Sequence, residues 1–130
     1  MAGSRPHLAS DEFLTFIEMR GFSDDWKALG LGDSELEALQ FLLMADPLRS
    51  SVMQGTGGLR KLRFAPASWN RGKRDSIRIC YVHFVEFRTV LLVFAYPKSK
   101  KDDLDSSERK LIKDLIVRQE QAFRRRADRR

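Results

Sequence analysis

Two β-rich runs with a two-residue gap constrain this chain more than any other feature. Ser76 to Glu86 and Thr89 to Tyr96 are dense in β-branched and aromatic residues, and only Phe87 and Arg88 stand between them. So short a connection suits a tight antiparallel hairpin, although neither residue is a favoured turn former. Leu59 to Ala65 reads as a further strand. A flexible turn at Gly55, Gly57 and Gly58 and a short Val52-Met53 strand precede it, and Glu12 to Met19 alternates imperfectly as a first edge strand.

Helical signals surround these runs. Asp24 to Leu29 predicts a short helix closed by Gly30 and Gly32. Asp33 then caps a second helix to about Ala45, with a broad apolar face from Leu36, Leu39, Phe41, Leu42, Leu43 and Met44. Glu35 and Glu37 suit its N-terminal dipole, and Asp46-Pro47 stops it. A last helix is expected from Leu104 to about Phe123, capped by Asp105 or Ser106, with Glu108 in its first turn. Leu111, Leu115, Ile112 and Ile116 give it a face for the sheet.

At 130 residues and 42% hydrophobic, the chain suits one domain with a modest core. The expected division is a loose leader over 1–10, a domain over 11–123 and a basic tail over 124–130 that frays into solvent. No apolar run approaches the roughly 20 residues that span a bilayer, and the N-terminus lacks a signal-peptide pattern, so a cytoplasmic protein without a membrane partner is expected. The lone cysteine, Cys80, lies in an apolar run and reads as a small buried residue rather than a staple or reactive thiol.

The net charge of +6 hides an asymmetry. Residues 1–54 carry four Lys/Arg against nine Asp/Glu, whereas residues 55–130 carry twenty against nine. A segment with that excess points to a polyanionic partner, nucleic acid first because phosphate contacts dominate such affinity, although an acidic protein would also serve. Period-two alternation places Lys61 and Arg63 opposite Leu62 and Phe64, and Arg78 opposite Ile77, Ile79 and Tyr81. If the apolar set packs on helices, these cations face the open side. His83 shares the Ile77, Ile79, Tyr81 and Val85 face and reads as a satisfied histidine at the core margin; His7 is incidental. Asp102, Asp103 and Asp105 read as a capping turn, so no metal or other cofactor is expected.

The ordered segments Gly57-Gly-Leu-Arg-Lys-Leu-Arg63, Ile77-Arg-Ile-Cys-Tyr81 and Tyr96-Pro-Lys-Ser-Lys-Lys-Asp-Asp-Leu104, ahead of an acid-capped helix, resemble the HigB branch of the RelE/ParE toxin superfamily over about residues 12–118. The resemblance implies an α+β fold, a small, mainly antiparallel RelE-like sheet with helices packed on one face and a concave face left for RNA. It implies the toxin of a type II toxin–antitoxin pair, a metal-independent endoribonuclease that cleaves messenger RNA on the ribosome, with a HigA-like helix-turn-helix antitoxin as partner. By position in the family pattern, Arg78 matches the arginine that contacts the scissile phosphate, Lys61 and Arg63 the preceding basic strand, and Lys98 the basic position after the last strand. These four are the expected catalytic residues. Arg60, Trp69, Lys73, Arg74, Tyr96, Lys100 and Lys101 are the expected RNA contacts, Trp69 by stacking on a base or else by covering an apolar edge.

RelE carries a tyrosine on its C-terminal segment that orients the attacking hydroxyl, and no tyrosine follows Tyr96 here. That leaves the base to a lysine, to Tyr96 or to no discrete group. Tyr81 and Tyr96 each suit a hydrogen-bonded core position or the site. A ParE-like gyrase poison and a non-catalytic nucleic-acid-binding relative are the alternative functions on this fold.

Overall fold

The computed structural model describes residues 13–67, 76–97 and 103–129. In chain order these form β1 (Thr15–Glu18), α1 (Arg20–Ala28), α2 (Asp33–Ala45), β2 (Arg60–Phe64), β3 (Ile77–Phe84), β4 (Thr89–Pro97) and α3 (Ser106–Asp128). The four strands make one sheet in the order β1-β4-β3-β2. β1 runs parallel to β4, and the other pairs are antiparallel. The α+β class and the mainly antiparallel sheet are as the sequence implies.

The helices do not share one face, and that expectation is corrected. Ile77, Ile79 and Tyr81 of β3, with Leu62 and Phe64 of β2, pack against Phe22 and Trp26 of α1 and Leu39 and Leu43 of α2. The alternate β3 residues, Cys80, Val82 and Phe84, pack with Leu91 and Val93 of β4 against Ile112, Ile116 and Phe123 of α3. The reason is visible in β4, whose Val90, Leu91, Leu92 and Val93 form a continuous apolar run, all at 3% exposure or less. A strand wetted on one face alternates; one covered on both does not. Each such side chain contributes about 1.5–3 kcal/mol by leaving water.

α1 begins at Arg20, four residues before the expected Asp24, because Phe22 and Trp26 lie one turn apart and stack at 5.3 Å, with Trp26 also 6.2 Å from Phe64. Trp26 Nε1 donates to the Gly32 carbonyl at 3.1 Å, joining α1 to the start of α2. Gly32, not Asp33, is the N-cap of α2, and its N–H donates to Glu35 at 2.8 Å.

The β3–β4 connection is a 3-10 turn over Val85–Phe87 closed by Arg88, which takes the left-handed φ of 50°. Pairing shifts by one between Cys80 and Tyr81, leaving Val93 as an extra residue on β4. Pro97 ends the strand, where its missing N–H costs no ladder bond.

Val52 makes only an isolated bridge to Arg60 rather than the expected strand. The glycine turn that follows is packed, not flexible. Thr56 is fully buried; its hydroxyl donates to the Met53 carbonyl at 2.6 Å and accepts the Leu59 N–H at 3.0 Å. Gly57 holds φ +76°, and a Cβ there would come within 3.2 Å of Lys113 Cγ on α3.

α3 carries a full capping box: Asp105 accepts the Glu108 N–H at 2.8 Å and Glu108 accepts the Asp105 N–H at 2.9 Å. It continues through Asp128, five residues beyond the expected end, instead of fraying at the arginines. Arg124 is held there by Glu86 and Glu120, each at 3.1 Å, and lies over the Phe87 ring.

Candidate active site

The register of β2, β3 and β4 assembles the cations. Arg63 stands opposite Arg78, and Arg78 opposite Tyr96, making one row across three strands; the next row is Lys61, Cys80 and Phe94. Facing residues of an antiparallel pair project to the same side, here the α3 side of the sheet. Like charges directly opposed across a strand pair are unfavourable unless other groups offset them. α3 covers this face at Val82, Phe84 and Leu91, and Leu104, just before the helix, joins the cluster that holds Cys80.

The row is graded in exposure. Arg63 is exposed, Lys61 half-buried and Arg78 only 2% exposed. The expectation that all three face solvent is therefore corrected for Arg78, whose Nη1 donates to Ser76 Oγ at 2.9 Å. A guanidinium so removed from water acts through a lower dielectric than a surface cation.

Cys80 is the fully buried member of the second row. Its thiol is 4.0 Å from the Tyr96 hydroxyl, and burial pushes its pKa up to about 11, outweighing the lowering by Tyr96 and Lys61. It is an inert packing residue at neutral pH.

Several expected contacts lie elsewhere. Arg60 shares the side of Leu62 and Phe64, away from the row, and its guanidinium donates to the carbonyls of Leu48 and Ser50. It is a loop anchor rather than a neighbour of the other cations. Tyr81 is buried among the α1 and α2 contacts and donates to the Pro47 carbonyl at 2.9 Å; burial raises its pKa, so the phenol stays protonated. His83 sits at the core margin as expected, but its Nδ1 is buried without a hydrogen-bond partner among the described residues. Burial, then Arg60, lowers its pKa and keeps it neutral. Trp69, Lys73, Arg74, Lys98, Lys100 and Lys101 lie outside the described residues.

The sequence reading missed Arg109 and treated Asp103 only as part of a capping turn. Arg109 grips both Asp103 oxygens at 2.9 Å. The acid at 103 and the base six residues later were legible as a pair only once α3 was known to begin between them.

No protein-family model matches the chain. Among solved structures it is similar to a double arginine-to-alanine mutant of the Escherichia coli toxin RelE in the free state, at 13% identity and a TM-score of 0.46, over 64% of this chain and 81% of that one. The fold described above rests on its own strand order and helix placement.

Proposed function

We propose that this chain is a metal-independent endoribonuclease and the toxin of a type II toxin–antitoxin pair, acting on ribosome-bound messenger RNA and neutralised by a HigA-like antitoxin. The observation that carries the reading is the Arg63–Arg78–Tyr96 row with Lys61 beside it. The ordered motifs that resemble the HigB branch support it.

In such a cleavage the substrate's 2′-oxygen attacks the adjacent phosphorus and loses its proton. The 5′-oxygen departs and is protonated, leaving a 2′,3′-cyclic phosphate and a 5′-hydroxyl. The phosphorane between them carries more negative charge than the diester, so fixed cations bind it more strongly than the ground state. Arg63 and Lys61 supply the accessible charge, and Arg78 supplies a field from within the sheet. Tyr96, at the end of the row, offers a phenol to the 2′-hydroxyl.

The test is induced expression with mapping of messenger-RNA 5′ ends, wild type against Arg63→Ala. New codon-phased ends with wild type alone are expected. Growth arrest without new ends would instead favour a gyrase-directed poison. Purified protein that binds RNA without cutting it would favour the non-catalytic relative.

A further inference from the structure

Arg109, in the first turn of α3, uses its guanidinium on three other residues. Its Nε donates to the Leu104 carbonyl at 3.1 Å and its Nη1 to the Gln54 carbonyl at 3.0 Å, while Nη2 reaches both oxygens of Asp103 at 2.9 Å. One planar group thus joins the segment entering α3, the first turn of α3 and the glycine turn leading into β2. The turn lies against it: a Cβ on Gly55 would be in ordinary contact, 3.7 Å from Arg109 Cδ, and Gly57 lies under Lys113 one turn further along the helix. Lys61 is the second residue of the strand this turn delivers, on the face that Leu104 packs against. The Asp103 carboxyl is held below its ordinary range by the Leu104 N–H and by Arg109, with Lys61 contributing.

We infer that Arg109 is a positioning residue for the cationic row, tying the glycine turn that delivers Lys61 to the segment that enters α3. This rests on the nuclease reading for its effect on rate but not for its effect on structure. A planar five-donor fork can hold Asp103, Leu104 and Gln54 at once in a fixed geometry, which a lysine cannot, and a small misplacement of a transition-state contact costs far more in rate than in binding.

The experiment uses the full chain with selectively 13C-labelled lysine, the Lys61 signal assigned by Lys61→Arg, and RNA cleavage measured in parallel. Arg109→Ala and Asp103→Asn are expected to move the Lys61 Cε resonance more than that of any other lysine. Both should lower kcat about tenfold or more with KM within twofold, and Arg109→Lys should recover only part. Arg124→Ala, a surface arginine of the same helix, serves as the control. If Arg109→Ala does not fold, Asp103→Asn carries the same test, since it leaves the bonds to Leu104 and Gln54 in place. An unmoved Lys61 signal in a folded variant overturns the inference, as does a fall in kcat matched by the control. If the signal moves as expected but wild-type protein cleaves no RNA, the nuclease reading fails and the clamp stands.

Discussion

Arg78 and Arg124 both belong to the basic half of the chain, yet they occupy opposite electrical environments. Arg78 is 2% exposed within the sheet, set against Arg63. Arg124 has a side chain 50% exposed near the end of α3, paired with two glutamates and stacked on Phe87. The first arrangement concentrates like charge where water is scarce, and the second neutralises charge where water already screens it. A count of basic residues treats them alike, although burial strengthens every interaction of the first and water weakens those of the second.

The widest gap is expected in activity. Arg78→Ala should lower RNA cleavage about 10²–10³-fold, whereas Arg124→Ala should leave it within about twofold, with initial rates on an RNA oligonucleotide as the measure. Equal losses would erase the distinction. A circular-dichroism spectrum and melting curve for each variant separate lost chemistry from lost fold.

The dryness of the row can be read through Cys80. Its thiol is raised from 9.0 to about 11 in the folded chain. The unfolded thiol therefore ionises first, and the stabilising contribution is complete below pH 9 and lost as pH rises from 9 to 11. Two pH units correspond to about 2–3 kcal/mol. Urea midpoints at pH 8 and 10.5 should show this loss in wild type and not in Cys80→Ala. The same slope in both would mean that the row is wetter than its burial indicates.

A smaller effect is expected at the turn that delivers Lys61. Gly57→Ala forces a Cβ into a left-handed backbone against the Lys113 stem, at a cost of about 1–2 kcal/mol, measurable as a shift of the urea midpoint. Cleavage should fall with it. Stability lost without any change in cleavage would separate the turn from the site.

The smallest change belongs to Arg124→Ala, which should move the melting temperature by no more than about 2 °C, and by less still at high salt. A larger shift would place the C-terminal arginines among the determinants of the fold.

Much of this was legible locally. The hairpin runs, the stop at Asp46-Pro47 and the Asp105–Glu108 cap depend on neighbours within a few residues. Period two placed Lys61 and Arg63 on one side of β2 and Leu62 and Phe64 on the other, as the structure has them. The same rule put Arg60 with Leu62, a signal overridden by its charge. The arginines after Phe123 stay helical for a similar reason, because charge predicts solvation but not helix ending, and Arg124 finds partners in Glu86 and Glu120.

The sequence by itself determined the three long strand runs, the cap of α3 and the division of charge, because periodicity and capping are short-range. Tertiary structure alone decided that α3 lies on the opposite face from α1 and α2, that Arg78 is buried, and that Arg109 closes on Asp103 and Gln54. Each of these depends on which surface meets which across tens of residues, and an apolar run buried on both sides carries no alternation from which to choose.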